Sequence, residues 1–376
     1  MSAAHPHQVH QSQCMAASSL TKIVFLWAGN EYSPRLGEVQ ENLGHACQIQ
    51  PFKSQLKGEI IMNLRVSRLF ASILAATGLA LSFACASATA ANPGAAVEQP
   101  LRFQAYDNPK FPTFAFGMEK HGTVVGYYYN ANYNALGFLR TADGGYTDVV
   151  YPKTPTSTFA QAINNAGNVA GYGQIAGVNG AYGWFYDAAS KAFTAIEVPH
   201  AQATDVWGLN NQNVVAGAAY FYTDSTGRGV GFTWTNGTFK YYKIPDAQFT
   251  QIYAINDNGD VAGSYIETSG ASHDFIWKAD GTVSILDPVN EFNNMAGVAG
   301  LNKNGDFVGP CYDQDFNTMG CFYKRSTAKV TSFKLDGFSS TMPSGMSHGD
   351  IVGYGIDATS GIAQAFVIPK SSVLGK

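Results

Sequence analysis

Short apolar runs separated by polar turns fill most of the chain after residue 100, and one pattern recurs among them. Each copy has a small residue followed by an aliphatic one, a turn rich in asparagine and glycine, and a second apolar run that contains a glycine. That glycine recurs at spacings of 44 to 46 residues, at Gly126, Gly171, Gly217, Gly263, Gly309 and Gly353. A period of this length in an all-β pattern is typical of the blades of a β-propeller.

Each copy divides into four predicted strands. In the second copy they read FAQAIN, NVAGY, GWFY and FTAIEVP, and short turns join them. Their lengths and their aromatic and aliphatic side chains are those of strands in an antiparallel sheet. The sequence therefore predicts six blades of four antiparallel strands.

One position of the repeat holds only glycine or alanine. It precedes the aliphatic residue of the first strand, at Gly117, Ala162, Gly208, Ala254, Gly300 and Gly345. The first strands of a propeller converge on its axis, where backbones approach closely and larger side chains do not fit. We expect these six residues at the axis.

The two ends of the repeat region complement each other. The sixth copy ends with its third strand, Ala365–Pro369, whereas Leu101–Asp107 resembles a fourth strand that precedes the first copy. Pairing this N-terminal strand with the last blade would remove an open sheet edge. We therefore predict an all-β fold, a six-bladed β-propeller over residues 92–370 closed by the N-terminal strand, with a tail at 371–376.

The first 91 residues have a different character. Residues 1–61 carry no repeat and are predicted to be a spurious upstream extension without structure. Residues 62–91 resemble a secretory signal peptide, with Arg65 and Arg68, an apolar run, and small residues before a cleavage site near Ala90. An internal transmembrane anchor is the alternative, but the apolar run is short for a span. The expected location is secreted or periplasmic, with no membrane span in the mature form.

Charge and cysteine content narrow the partners and the compartment. After residue 90 the chain has 17 Lys and Arg against 23 Asp and Glu, a net charge of −6, and no basic patch is visible. This disfavours a nucleic-acid partner, and we expect a monomer. Only Cys311 and Cys321 remain in this part of the chain. In an oxidising compartment their spacing favours a cross-strand disulfide over free thiols or a metal pair.

Three motifs resemble the repeat of the HAF-repeat proteins, a family of extracellular repeat proteins. They are INNAGNVAGY at Ile163, INDNGDVAGSY at Ile255 and SHDFIW at Ser272. The resemblance covers residues 101–370, although only one copy has the histidine of the family pattern, His273, and Asp-Phe replaces Ala-Phe there. It implies export and a repeat fold, and it implies no reaction.

The loops between second and third strands differ among the six copies, whereas the turns between first and second strands are nearly identical. Positions that vary within one chain are free to serve function. We expect a ligand site among these loops and at the mouth of the axis, formed by Tyr128, Tyr129, Tyr133, Trp207, Tyr220, Tyr222, Asp224, Arg228 and Tyr253. Aromatic faces beside polar groups suit a carbohydrate or a peptide. Alternatively, the tyrosines pack against neighbouring loops, and Trp207 and Tyr253 fill the channel.

The stretch DQDFN begins like a calcium loop, with Asp313, Asp315 and Asn317 at alternate positions. It lacks the glycine and the glutamate that complete such a loop, because Thr318 and Lys324 stand there. A solvated hairpin tip is therefore the favoured interpretation. No cofactor is expected, with calcium as the alternative.

No catalytic signature stands out in the sequence. It has no G-x-S-x-G elbow and no histidine pair at zinc spacing. The favoured function is an exported module that binds an unidentified extracellular glycan or protein. The alternatives are a propeller hydrolase or lactonase-like enzyme with an axial site, and a purely structural envelope protein. An enzyme would need carboxylates or histidines from several first strands, where small and apolar residues prevail.

Overall fold

The computed structural model describes residues 100–175, 180–223, 226–286, 297–313, 315 and 317–374. The predicted upstream extension, 1–61, and signal peptide, 62–91, lie outside these residues. The described part forms 24 strands and one short helix, α1, at Lys370–Leu374. None of its residues belongs to a helix with the length and apolar character that a membrane crossing requires.

The strands group into six units of four, in chain order except for the first strand, which belongs to unit six. Unit one has β2 (Thr113–Met118), β3 (Val124–Tyr129), β4 (Ala135–Arg140) and β5 (Tyr146–Val149). Unit two has β6 (Thr158–Ile163), β7 (Val169–Gln174), β8 (Ala181–Asp187) and β9 (Ala192–Ile196). Unit three has β10 (Ala203–Leu209), β11 (Val215–Thr223), β12 (Thr226–Thr235) and β13 (Thr238–Tyr242). Unit four has β14 (Ala247–Ile255), β15 (Val261–Glu267), β16 (Ser272–Trp277) and β17 (Val283–Leu286). Unit five has β18 (Gly300–Leu301), β19 (Phe307–Tyr312), β20 (Thr318–Lys324) and β21 (Lys329–Phe333). Unit six has β22 (Phe338–Ser347), β23 (Asp350–Asp357), β24 (Ala363–Pro369) and β1 (Leu101–Phe103).

The strands of each unit pair in antiparallel fashion, and strands that are consecutive in the sequence are neighbours in the sheet. Units one, two and five are separate four-stranded sheets, while a parallel bridge from Gly229 to Phe249 joins units three and four into one sheet. In unit six the order is β22, β23, β24 and β1, because residues 101–103 pair with residues 365–367. The predicted organisation in four-stranded antiparallel sheets is confirmed.

The N-terminal strand is shorter than the sequence indicates. It ends at Phe103, and Ala105–Asp107 form a single 3-10 turn. The backbone N–H of Ala105 donates to Thr113 Oγ1 at 2.9 Å, and Tyr106 takes a left-handed φ of 55°. The longer strand predicted from the sequence is wrong, because this side-chain hydrogen bond turns the chain toward β2.

The fourth strand of a unit is less buried than the first. Every residue of β6 is buried, whereas only the last residue of β9 is. The third strands of all six units have a fully buried ring. It is Phe322 in unit five, and in the other units it is Phe138, Trp184, Phe232, Phe275 or Phe366. The five rings outside unit five share one position. Each of these residues pairs with the repeated glycine of the second strand. The ring therefore fills the space that the missing side chain leaves.

Cysteine replaces the aromatic residue in unit five. Cys321 pairs with Gly309, at the position where the other five units have Phe or Trp. It forms the predicted disulfide with Cys311 on the neighbouring strand, and 5.8 Å separates the two Cα atoms. Both cysteines are completely buried. The disulfide therefore occupies the core position that a large apolar side chain occupies elsewhere.

The repeated glycine of the second strand is required by a bulge in the strand beside it. The first strands of five units have a register shift near their centres. A Cβ on Gly263 would overlap the carbonyl oxygen of Gln251. The equivalent glycines face a carbonyl in the same way, at Gly126, Gly171, Gly217, Gly309 and Gly353. A side chain at this position would push the two strands apart.

The first strands of the six units contact one another in a cycle. β2 contacts β6, β6 contacts β10, β10 contacts β14, β14 contacts β18, β18 contacts β22, and β22 contacts β2. A Cβ on Gly117 would lie 3.4 Å from the Cα of Ala162, and a Cβ on Gly300 would lie 2.8 Å from the Cα of Gly345. The close backbone approach that we expect from these small residues is confirmed at these contacts.

Asparagine at the start of the turn between first and second strands links neighbouring units. Its Nδ2 donates to the backbone carbonyl of the equivalent asparagine one unit later, from Asn164 to Asn210, from Asn210 to Asn256 and from Asn256 to Asn302, at 3.0–3.1 Å. Its Oδ1 accepts backbone N–H groups of its own turn. The repeated asparagine therefore closes its turn and holds two units together.

Candidate functional site

A narrow channel lies where the ends of the six first strands meet. Its volume is about 90 Å³, and its lining includes Phe116, Gln161, Trp207, Tyr253, Ala299 and Ser344. Trp207 is 8% exposed, and its ring centroid lies 5.1 Å from that of Tyr253. Large side chains fill the channel, so a larger ligand could reach it only at a mouth.

Aromatic side chains gather on the side of the six units where the loops between second and third strands lie. We define the aromatic basin as Tyr129, Tyr172, Trp207, Tyr220, Tyr222 and Tyr253. Tyr222 is 52% exposed and stacks nearly parallel on Tyr220, with the ring centroids 6.1 Å apart. The basin therefore combines a buried aromatic floor with one ring that solvent can reach.

A chain of hydrogen bonds crosses the basin. Gln251 Nε2 donates to the Tyr220 hydroxyl at 2.6 Å, and the Tyr253 hydroxyl donates to Gln251 Oε1 at 2.5 Å. The hydroxyl of Tyr253 also lies 3.1 Å from Ser264 Oγ. These bonds fix the orientation of the tyrosine hydroxyls. The polar edge of the basin is therefore preorganised.

Asp205, on the first strand of unit three, contributes a carboxylate to the basin. Its Oδ1 is buried and has no hydrogen-bond partner among the described residues. Burial raises the pKa of Asp205 to about 7. Asp205 pairs with Ala218 and Ala203 pairs with Tyr220, so the Asp205 and Tyr220 side chains lie on the same face of the sheet. Burial, followed by the negative charge of Asp205, also raises the pKa of Tyr172, Tyr220 and Tyr222.

A second carboxyl of the same kind belongs to unit four. Burial raises the pKa of Asp274 to about 7. Asp274 pairs with Ser264 across the sheet, and after burial its charge contributes to the raised pKa of Tyr253. The equivalent residue of the third strand is glycine in four other units, at Gly137, Gly183, Gly231 and Gly320. Unit six has Ala365 there, so Asp274 is the one large polar side chain at a position of glycine or alanine.

The structure brings five of the nine predicted ligand residues into the basin: Tyr129, Trp207, Tyr220, Tyr222 and Tyr253. Tyr128 is not among them, since it is 4% exposed, packs on Phe111, and donates from its hydroxyl to Asp148 at 3.3 Å. Tyr133 is 71% exposed in the loop of unit one, and the Arg228 guanidinium lies over the ring of Phe221. Asp224 lies outside the described residues.

The predicted calcium loop forms a turn through its own hydrogen bonds. Asp313 Oδ1 accepts the backbone N–H groups of Asp315 and Asn317, and its Oδ2 accepts the side-chain amide of Asn317. Within the residues that the structure describes, no three His, Cys, Asp or Glu side chains are grouped to hold a metal ion. The Asp313 carboxylate thus serves the turn in this arrangement.

Sequence reasoning missed Asp205, Gln251 and Asp274, although the repeat contains a signal for two of them. Asp205 and Gln251 stand two residues before the channel position, where units one and two have Phe114 and Phe159. Polar residues that replace aromatic ones at a fixed position of the first strand mark units three and four as different. This difference is visible when the first strands are aligned with one another, and the loops do not show it.

Comparison with known proteins gives structural likeness only. No protein-family model and no curated protein matches the sequence. Among solved structures, the chain is similar to virginiamycin B lyase from Staphylococcus aureus, with 13% identity, 72% of this chain and 88% of that chain covered, and a TM-score of 0.40. It is similar to the Aleuria aurantia lectin, with 11% identity, 70% and 98% covered, and a TM-score of 0.41. It is also similar to the β-propeller domain of the trilobed protease from Pyrococcus furiosus, with 10% identity, 68% and 93% covered, and a TM-score of 0.40.

Proposed function

We propose that the chain is an exported six-bladed β-propeller of the HAF-repeat type, which acts as a ligand-binding module. The cycle of contacts among the six first strands supports this number of blades. The pairing of β1 with β24 supports closure by the N-terminal strand, because it supplies the fourth strand of unit six. The buried disulfide of unit five supports export to an oxidising compartment.

The ligand site is the aromatic basin, and a carbohydrate is its favoured ligand. The unpartnered, buried Oδ1 of Asp205 carries this proposal, because leaving a buried acceptor without a donor costs about 1–3 kcal/mol. A ligand hydroxyl would satisfy it. The exposed face of Tyr222 suits the C–H face of a sugar ring, and the amide of Gln251 supplies a further polar contact nearby.

We expect the purified protein to bind a subset of a glycan array and to bind less to an array of extended peptides. Asp205→Ala removes the acceptor and Tyr222→Ala removes the stacking face, so both variants should lose the array signal. Tyr133→Ala is the matched control, since it removes an exposed tyrosine from the loop of another unit. Binding to peptides alone would replace the carbohydrate with a peptide ligand. Retention of glycan binding in both basin variants would refute the site.

A hydrolase acting in the same basin is the second candidate. The observation in its favour is that burial raises the pKa of both Asp205 and Asp274 to about 7, where a carboxyl group can act as general acid or base. Incubation of array-positive glycans with the protein, followed by mass spectrometry, tests it. A hydrolase would release products, and Asp205→Asn or Asp274→Asn would slow release by about 100-fold or more. Intact glycans would leave binding as the function.

A further inference from the structure

A cleft between units four and five lies at the opposite ends of the strands from the aromatic basin. It is formed by the turns between first and second strands and between third and fourth strands, and its volume is about 390 Å³. Three cations line it: Lys278, Lys303 and Arg325. None of them forms an ion pair with any residue that the structure describes.

The two carboxylates of this cleft are largely engaged by protein donors. Asp260 Oδ1 accepts the backbone N–H of Ala279 at 3.0 Å, and its Oδ2 accepts the side-chain amide of Asn256 at 3.1 Å. Asp280 Oδ1 accepts the backbone N–H of Thr282 at 2.8 Å. The cleft therefore has positive groups to spare, while most of its acceptors are already satisfied.

Arg325 departs from the repeat. Its backbone N–H donates to Asp306, as the N–H of Ala188 donates to Asn168 and that of Ala279 to Asp260, so the three residues are equivalent. Units two and four thus have alanine where unit five has arginine. The Arg325 side chain passes over Gly305, and a Cβ on that glycine would contact its Cδ. The glycine therefore leaves the space that positions the guanidinium.

Lys303 differs from its counterparts in units two to four at a structural cost, while unit one also has lysine at this position, Lys120. In units two to four the residue at this position accepts a backbone N–H from the unit before, through Asn165, Asn211 and Asp257. Lysine has no side-chain acceptor, so this series of hydrogen bonds stops at unit five. Its backbone is held instead by Asn258, whose Nδ2 donates to the Lys303 carbonyl at 2.8 Å. Unit five combines this lysine with Arg325, whereas unit one combines Lys120 with Ala142. The meeting of these cations in one cleft points to a ligand.

We propose that this cleft is a second binding site, for a tetrahedral oxyanion such as phosphate or sulfate, free or carried on a small soluble molecule. Arg325 provides paired N–H donors for two oxygens, while Lys278 and Lys303 supply charge from the two flanking turns. This proposal is independent of the aromatic basin. A negative binding result at one site does not bear on the other, because the two sites are formed by different residues at opposite ends of the strands.

The test is calorimetric titration of the full protein with inorganic phosphate, inorganic sulfate and acetate at constant ionic strength. We expect phosphate or sulfate to bind more tightly than acetate, and Arg325→Ala and Lys303→Asn each to weaken binding about tenfold or more. Both replacements reproduce residues that other units have at these positions, so we expect both variants to fold, and circular dichroism checks this. Lys329→Ala, an exposed lysine of the same unit, removes one charge elsewhere and should change affinity less than twofold.

Three results would overturn the site. These are no binding of phosphate or sulfate by the folded wild-type protein, equal affinity for acetate, and equal loss of affinity in Lys329→Ala, which would indicate a response to net charge alone. Vesicles with phosphate headgroups form a further arm of the experiment. Binding to vesicles without binding of free phosphate would also contradict a site for small soluble anions.

Discussion

Gly263→Ala is expected to destabilise the protein by about 3 kcal/mol or more, the largest effect of any single methyl group in the repeat. The added Cβ would overlap the carbonyl oxygen of Gln251, which the bulge of the first strand turns toward this glycine. Gly263 and Gln251 lie on neighbouring strands, β15 and β14, that are already paired by hydrogen bonds. The strain can be relieved only by separating the two strands. Urea unfolding followed by circular dichroism gives the change in free energy.

Gly208→Ala is the matched control for this prediction. It also adds one methyl group at the centre of a unit, but its Cβ would lie 3.2 Å or more from its neighbours, and units two and four already have alanine at the equivalent position. We expect a change of about 1 kcal/mol or less. If the two variants had equal stability, the bulge would not be the reason for the repeated glycine.

The second large effect concerns the pH dependence of stability in Asp205→Asn. In the folded protein burial raises the pKa of Asp205 from 3.8 to about 7. The folded state therefore holds this proton more tightly than the unfolded state. The stability that the protonated Asp205 carboxyl contributes is fully present below pH 4 and is lost as the pH rises through 7. The full loss is roughly 4 kcal/mol, because each pKa unit is worth about 1.4 kcal/mol.

Asparagine at this position carries no charge at any pH. Relative to wild type, Asp205→Asn should therefore gain stability between pH 4 and pH 9, by up to roughly 4 kcal/mol. Urea unfolding of both proteins across this range measures the difference. Asp280→Asn is the control of opposite sign, since the Thr282 N–H lowers the pKa of that exposed carboxyl. A wild-type advantage that is constant with pH would show that Asp205 titrates as an ordinary surface carboxyl.

The repeat made much of the fold predictable. Six copies of one pattern indicate the strands of each unit, and the glycine or alanine of the first strand indicates close backbone contacts at the axis. The reason for the second-strand glycine was not predictable, because the bulge that turns the Gln251 carbonyl toward Gly263 leaves no mark in the sequence. The disulfide was predictable as a pair, but not as a replacement for a core ring.

Which of the nine predicted ligand residues come together was predictable only in part, and strand geometry explains the exceptions. Tyr128 and Tyr129 are neighbours on β3, so their side chains point to opposite faces and cannot share one site. Tyr129 joins the basin and Tyr128 packs in the core. Tyr220 and Tyr222 are two residues apart and lie on the same face, as the stacking of their rings requires.

The environment of the Asp205 carboxyl could not be predicted from the sequence around it. Its raised pKa comes from burial in the folded protein, and no local motif indicates that environment. Comparing the six first strands would have singled it out, since a carboxylate there replaces the Phe114 and Phe159 of units one and two. Departure from the repeat is therefore the useful signal in this chain, for the basin as for the cation-lined cleft.

The central claim is that the aromatic basin binds a ligand through Asp205. Calorimetric titration with the glycan that binds best on the array, at pH 8 where this carboxyl is mostly ionised, tests it most directly. We predict that Asp205→Ala weakens binding about 10- to 100-fold, while Tyr133→Ala leaves the affinity unchanged. Unchanged affinity in Asp205→Ala, together with a loss in Tyr133→Ala, would contradict the account and place the site in the loop of unit one.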